Sequence, residues 1–273
     1  MNIAICLSGG LKYPEIALES IKNIFPNDQI KIFIHTWKVK DKEKFIQSIH
    51  GSENKEIDKQ ISDNFSILEE YNYESLLIEN YETKEKQFEE ILSHLSFLNP
   101  DEEQKPSIRN DVGPISMHYS VHKSNELKKQ YEKENNMIFD VVFRMRFDND
   151  FRGAKFDVTN IQKGIWVPWM PTLDFVGGLS DIFALGTSHC MDIYSSLFLH
   201  LHKLQKITVY HPEIMLRDYL KMKGMPVNRF SMYVQINNGN DWKKNIFYYT
   251  NPHIDGLTTP CINMRQDDLI VTL

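Results

Sequence analysis

Residues 3–35 read IAICLSGGLKYPEIALESIKNIFPNDQIKIFIH, and this stretch determines the fold class. A short apolar run ends at a Ser-Gly-Gly turn, and Pro14 then stands where the first turn of a helix accepts proline. Apolar residues follow at helical spacing, and a second apolar run, Lys31–His35, comes after an Asn-Asp turn. Strand, helix and strand in this order predict a parallel strand pair in an α/β sheet.

The rest of the chain is consistent with one large domain over residues 1–273. Apolar residues make up 41 % of the chain and charged residues 25 %, which is ordinary globular usage and disfavours a disordered, collagen-like or coiled-coil protein. Residues 38–108 differ, because they are dense in Lys, Glu, Asp and Asn. We expect them to form a charged insertion of short amphipathic helices.

Charge and cysteine content exclude several classes of protein. The chain has 31 Lys and Arg against 37 Asp and Glu, a net charge of −6, which argues against a nucleic-acid partner. Its three cysteines form no CxxC pair, so a reducing cytoplasmic location is expected. No stretch approaches the roughly 20 apolar residues of a membrane span, so any membrane contact is expected to be peripheral.

An acidic pair directly follows a third apolar strand, and its sequence is RMRFDND over residues 144–150. If the chain stays extended there, Asp148 and Asp150 lie on one side of it, at the strand end where parallel sheets bind ligands. A divalent cation would satisfy both carboxylates and attract a diphosphate. Arg144 and Arg146 share a strand face, where they would orient Asp148 or contact the diphosphate. A plain surface turn is the alternative interpretation of Asp-Asn-Asp.

The turn after the first strand is a candidate nucleotide site. Ser8, Gly9 and Gly10 offer backbone N–H groups and a hydroxyl, and Lys12 stands within reach of a phosphate. An ordinary turn with a solvated lysine is the open alternative.

The second strand ends in His35, Thr36 and Trp37. A base could stack on Trp37 or form hydrogen bonds with the other two, whereas core packing is an equally good explanation.

This combination of motifs resembles the GT-A class of nucleotide-sugar-dependent glycosyltransferases, in particular small bacterial enzymes of surface-polysaccharide synthesis. The resemblance implies a Rossmann-like, mixed and mostly parallel central sheet flanked by helices. It implies that Asp148 and Asp150 hold Mn²⁺ or Mg²⁺ on the donor diphosphate. It also implies that the helix before the acidic strand flanks the donor, so that Tyr119 and Lys123 contact it. A third metal ligand from the C-terminal tail is implied as well, with His253 as the candidate and a mere turn as the alternative.

Two further carboxylates are candidates for the catalytic base. Asp181 follows a Gly-Gly-Leu-Ser loop, and Glu213 follows Pro212 at a predicted helix start, where helix capping also explains a carboxylate. The predicted function is transfer of a sugar from a UDP-, GDP- or CMP-linked donor to a carbohydrate or lipid-linked acceptor. A nucleotidyl- or phosphotransferase with the same acidic site, and a non-catalytic carbohydrate- or protein-binding module, are the alternatives.

Overall fold

The computed structural model describes residues 1–24, 30–45, 62, 65–98, 111–151, 155–158, 161, 164–168, 177–230, 235–236 and 270–272. Within these ranges, residues 155–157, 230, 235–236 and 270–272 are described by their backbone. His253, the candidate third metal ligand, lies outside the described residues.

Strands and helices alternate along most of the described chain. The strands are β1 Ile3–Gly9, β2 Ile30–Lys38, β3 Ser75–Asn80, β4 Val141–Met145, β5 Asn149–Asp150, β6 Lys155–Asp157, β7 Ile165–Pro168, β8 Ala184–Gly186, β9 Val227–Phe230, β10 Gln235–Ile236 and β11 Ile270–Thr272. The α-helices are α1 Pro14–Ile24, α2 Tyr81–Ser93, α3 Gly113–Asn135, α4 Ser188–Ser195, α5 Leu201–Leu204 and α6 Pro212–Met222. Two 3₁₀ helices span Phe65–Tyr71 and Leu197–His200.

Seven strands form the central sheet in the order β3-β2-β1-β4-β8-β7-β9. Strand β8 is antiparallel to both of its neighbours, and every other neighbouring pair is parallel. The first four strands therefore have the 3-2-1-4 order of a Rossmann-like half-sheet. The prediction of a mixed, mostly parallel α/β sheet is confirmed.

Helices cover both faces of this sheet, and β1 shows how the sequence produces the layers. Ile3, Ile5 and Leu7 point to the face covered by α1, whereas Ala4 and Cys6 point to the face covered by α3, α4 and α6. All five side chains are buried, because a central strand between two helical layers has no solvated face. The apolar run of β1 is thus continuous rather than alternating.

Part of the stretch that we expected to be a helical insertion belongs to the main sheet. Strand β3 pairs in parallel with β2, with Phe33 opposite Ser75 and Lys38 opposite Asn80. The pairing was hidden in the sequence because β3 is an edge strand whose residues are half-buried or exposed, without an alternating pattern. Helix α2 follows it directly, with Asn80 as the N-cap, so the helical part of the prediction holds there.

No helix in the described part of the chain is both long enough and apolar enough to cross a lipid bilayer.

Candidate functional site

The connections between strands create a crevice at the carboxyl ends of β1 and β4. From β1 the chain continues through β2 to β3 on one side, whereas β4 lies on the other side of β1. Ligands of open α/β sheets bind where the strand order reverses in this way. Gly9 ends β1 with a φ of +118°, and none of the described residues occupies the space that its side chain would fill. The crevice therefore has room beside a backbone conformation that glycine adopts without strain.

The acidic segment enters this crevice through a tight turn. The backbone N–H of Arg146 donates to Asn149 Oδ1 over 2.8 Å, and the N–H of Asn149 donates to the carbonyl of Arg146 over 3.4 Å. Strand β4 has already ended at Met145, and Asp150 lies beyond the turn in β5, where it pairs with Gln235. The expectation that Asp148 and Asp150 alternate along one extended strand is wrong, because the Asn149 side chain stabilises a turn instead.

Asp148 is buried beneath two cations. Arg146 donates from Nε to Oδ1 over 2.8 Å and from Nη2 to Oδ2 over 2.6 Å, and Lys12 Nζ lies 3.8 Å from Oδ2. Burial alone would raise the pKa of the Asp148 carboxyl, but Arg146 and Lys12 hold it below its ordinary value. The carboxylate is therefore ionised at neutral pH and fully engaged by a bidentate guanidinium.

The contacts of Asp148 with Arg146 and Lys12 determine how well a metal ion would fit. A divalent cation at the predicted Asp148–Asp150 cage would approach a carboxylate whose two oxygens already accept hydrogen bonds from Arg146, with the Lys12 ammonium beside them. Within the described ranges, no three His, Cys, Asp or Glu side chains are grouped so that they could share a metal ion. The two oxygens of Asp148 are thus placed to bind a guanidinium and an ammonium rather than Mn²⁺ or Mg²⁺. The metal requirement stays a prediction from the resemblance.

The two candidate bases lie on either side of a glycine turn next to the same arginines. The N–H of Leu179 donates to the carbonyl of Glu213 over 3.0 Å, which ties the turn to the start of α6. Arg144, itself fully buried, donates from Nη1 to the carbonyl of Asp181. Burial lowers the pKa of Arg146, but Asp148, Asp181 and Glu213 around it raise that pKa above its ordinary value. The negative charges of Asp181 and Glu213 thus favour the charged form of the guanidinium that binds Asp148.

Several buried polar atoms around this crevice have no hydrogen-bond partner in the described part of the chain. They are Ser8 Oγ, His118 Nε2, Arg144 Nε, Asn149 Nδ2 and Ser180 Oγ. Most buried polar atoms in native proteins are hydrogen-bonded, so each exception is a position for bound water or a ligand. The exceptions come from β1, α3, β4, the acidic turn and the glycine turn.

His118 and Ser180 are polar members of this group that sequence reasoning did not select. His118 lies in α3 and is buried next to Pro212, Glu213 and Arg144. Three residues earlier in α3, Ile115 is also fully buried. A histidine in the buried stripe of a helix was the signal available in the sequence, since a buried polar residue is more informative than a buried apolar one.

His211 stands beside the second candidate base. Its Nδ1 lies 2.7 Å from Glu213 Oε2, close enough for an ion pair but at angles that form no hydrogen bond. This contact and the position of His118 next to Pro212 bring two histidines, His118 and His211, to the start of α6.

The residues predicted to contact the nucleotide at the end of β2 are part of the core. His35 is fully buried between Ser120 Oγ at 2.7 Å and Glu79 Oε2 at 3.0 Å. Trp37 is 3 % exposed and stacks on Tyr119 with ring centroids 5.8 Å apart. These partners explain both side chains by packing, which is the alternative that the sequence left open. A nucleotide contact at these positions stays a prediction.

The neighbours of this aromatic cluster connect it to the crevice. Thr36 donates to the carbonyl of Gly9 over 2.9 Å, so the end of β2 supports the turn after β1. Lys123 Nζ lies 5.9 Å from the centre of the Tyr119 ring, and the hydroxyl of Tyr119 donates to Glu79 over 2.8 Å. Gly10 faces the ring of Phe45 at 3.3 Å, measured from where a Cβ would stand.

The buried His118 gives a testable dependence of stability on pH. Burial, and secondarily Arg144, lowers its pKa from 6.5 to about 3, so the unfolded chain takes up the proton first. Its stabilising contribution is complete above the unfolded pKa and is lost as the pH falls toward the folded value. When the pH is lowered from about 7 to about 5, we expect the free energy of unfolding of wild type to fall by about 2 kcal/mol more than that of His118→Asn.

Urea unfolding of both proteins at the two pH values measures this difference. His202→Asn is the matched control, because His202 is exposed and should leave the pH dependence unchanged. Equal losses in wild type and His118→Asn would show that His118 is protonated in the folded protein.

No protein-family model matches the chain, and no curated protein sequence matches it. Solved structures that resemble it include an active-site mutant of LgtC, with 11 % sequence identity and a TM-score of 0.38 over 85 % of this chain and 73 % of that chain. Another is the galactosyltransferase LgtC in complex with donor and acceptor sugar analogues, with 10 % identity and a TM-score of 0.37 over the same shares. At TM-scores this low the likeness carries no argument, so the function has to be inferred from the site itself.

Proposed function

We propose that this protein is a glycosyltransferase that moves a sugar from a nucleotide-sugar donor to a hydroxyl group of an acceptor. The observation that carries the proposal is the convergence of Lys12 and Arg146 on the buried Asp148, in the crevice between the ends of β1 and β4. Two cations that converge on one carboxylate present ammonium and guanidinium N–H groups where an α/β sheet binds nucleotides. A donor diphosphate is the anion that suits this position.

The carboxylates next to Arg146 suit the second half of the reaction. In an inverting transfer, the acceptor oxygen forms a bond to the anomeric carbon while the bond from that carbon to the diphosphate oxygen breaks. The leaving nucleoside diphosphate keeps the electron pair, and the hydroxyl proton passes to a carboxylate. Asp181 is the proposed base and Glu213 the second candidate, since both act electrostatically on Arg146.

The finer points of the proposal rest on the resemblance to GT-A enzymes. The acceptor is proposed to be a carbohydrate or lipid-linked glycan of surface-polysaccharide synthesis. The enzyme is proposed to work in the cytoplasm with at most peripheral membrane contact. The Mn²⁺ or Mg²⁺ requirement that the resemblance implies is to be tested by chelation, and no step above depends on it.

A screen of UDP, GDP and CMP, and then of their sugar conjugates, tests the proposed function. We expect one nucleotide to raise the melting temperature by several degrees at about 100 times its Kd, since binding to the folded state alone then adds about 2.7 kcal/mol. The matching sugar nucleotide should then release that nucleotide in the presence of an acceptor.

The same screen separates the alternatives. A carbohydrate- or protein-binding module should not respond to any nucleotide, and its acidic turn would be exposed, whereas Asp148 is 1 % exposed. A nucleotidyltransferase would release pyrophosphate instead of a nucleoside diphosphate. Either result, no response or pyrophosphate, would contradict the proposal.

A further inference from the structure

We infer that Lys12 and Arg146 bind the donor diphosphate directly, without an intervening metal ion, and that Asp148 is a positioning residue that holds Arg146 in place. This inference rests on the proposed function and departs from the metal cage that the sequence predicts. We call Lys12 and Arg146 the cationic pair.

The order of the charges from solvent inward is the first argument. The side chain of Asp148 is 2 % exposed, whereas those of Lys12 and Arg146 are 14 % and 30 % exposed. An anion that enters the crevice therefore meets the cationic pair before the carboxylate. A metal ion on the same path would have to pass these two positive charges before it reached the Asp148 carboxylate.

The second argument is that some hydrogen-bond donors of the cationic pair have no partner among the residues that the structure describes. A guanidinium has five N–H groups, and the two bonds to Asp148 use two of them. The remaining N–H groups of Arg146 and the ammonium of Lys12 can donate to phosphate oxygens. Arginine and lysine are the side chains that usually do so in proteins.

The role of Asp148 follows from the same geometry. Its bidentate contact fixes the plane of the Arg146 guanidinium, and burial of the carboxylate restricts the movement of both groups. Without it, Arg146 would gain freedom and would have to be ordered by the ligand, which weakens binding. Asp148 thus contributes through Arg146 and without contacting the diphosphate.

The open space at Gly9 provides the place for the ligand. Gly9 ends the strand that leads to Lys12, and no atom of the described residues lies within 4 Å of the point where a Cβ would stand. The N–H of Lys12 donates to the carbonyl of Gly10 over 2.8 Å, and this turn carries the Lys12 side chain back toward Asp148.

Calorimetric titration of UDP, or of whichever nucleoside diphosphate the screen selects, tests the inference in EDTA and in Mn²⁺. We expect wild type to bind in EDTA with a Kd within about threefold of that in Mn²⁺. In EDTA, Lys12→Gln and Arg146→Gln should each raise Kd about tenfold or more, because each removes a charge-assisted hydrogen bond. Lys22→Gln is the control with the same change of charge, since Lys22 is exposed in the last turn of α1.

Two further variants distinguish specific binding by the cationic pair from a general effect of lost charge or lost folding. Arg146→Lys keeps the charge but loses the planar fork, so we expect a Kd between those of wild type and Arg146→Gln. Asp148→Asn should weaken binding by the same factor in EDTA and in Mn²⁺. The melting temperature of each variant without nucleotide shows that it is folded before its Kd is compared.

The outcomes distinguish this inference from the proposed function. If UDP binds in Mn²⁺ but not in EDTA, the inference of metal-free binding by the cationic pair is wrong, and the proposed nucleotide site is still supported. If Lys12→Gln and Arg146→Gln bind as wild type does in EDTA, the cationic pair is not the diphosphate site. If no nucleoside diphosphate binds under either condition, the proposed function itself fails.

Discussion

Replacing Asp148 with asparagine is expected to lower the rate of sugar transfer by about 100-fold, because a displacement of roughly 1 Å at a positioned group costs about that much. Asparagine has nearly the size of aspartate, so the turn at residues 146–149 can still form. It lacks the charge that draws Arg146 into the bidentate contact at 2.8 and 2.6 Å. Arg146 then no longer holds the leaving diphosphate in line with the acceptor.

Turnover of the donor identified by the nucleotide screen measures this effect, with kcat and KM determined separately. Asp140→Asn is the matched control, because Asp140 is an exposed aspartate just before β4, at the other end of that strand. We expect that variant to keep wild-type turnover. Wild-type turnover in Asp148→Asn would remove Asp148 from the site.

Turnover of Asp150→Ala, and of wild type in EDTA, compares the predicted metal cage with direct binding by the cationic pair. If the metal cage that the sequence predicts exists, Asp148→Asn, Asp150→Ala and EDTA should each abolish transfer. If the cationic pair binds the diphosphate directly, EDTA should leave the turnover of wild type in place, and the effect of Asp148→Asn should persist in EDTA. The two descriptions of the acidic turn therefore predict opposite results for one measurement.

The central sheet could be predicted because its inner strands leave a strong local signal. β1 and β2 are buried on both sides and consist of short apolar runs bounded by turns, with α1 between them. Such a run needs two covering layers, and a single connecting helix supplies a parallel crossover. β3 gave no such signal, since an edge strand with half-buried faces follows neither an apolar nor an alternating pattern.

The candidate site was predicted in position but not in detail. The acidic segment does lie at the end of an apolar strand beside the turn of β1, as parallel topology requires. The directions of its side chains depend on the hydrogen bond from the Arg146 N–H to Asn149 Oδ1. In such a bond a side chain competes with the backbone pairing of a strand, and the periodicity of the sequence does not show which of the two forms. The contact of Lys12 with Asp148 joins residues far apart in sequence, and only the folded chain shows it.

Replacing Lys128 with methionine is expected to lower the free energy of unfolding by about 3 kcal/mol, because it leaves two partly buried carboxylates without their cation. Lys128 is fully buried in α3, and its Nζ donates to Glu132 over 2.9 Å, to Ser188 over 2.6 Å and to Asp192 over 2.8 Å. Asn125 also donates to Asp192, so the network joins α3 to α4. Methionine fills a similar volume but offers no donor.

Urea denaturation of Lys128→Met and of its neighbour Lys129→Met isolates the effect of burial. Lys129 is exposed and lies 3.2 Å from Glu126, so its replacement should cost less than about 1 kcal/mol. Adding Asp192→Asn to Lys128→Met should recover part of the loss, because the cost arises from the charge left behind rather than from the contact removed. A loss in Lys128→Met as small as in Lys129→Met would mean that water or a rearranged donor replaces the ammonium. The junction of α3 and α4 would then depend on its apolar packing alone.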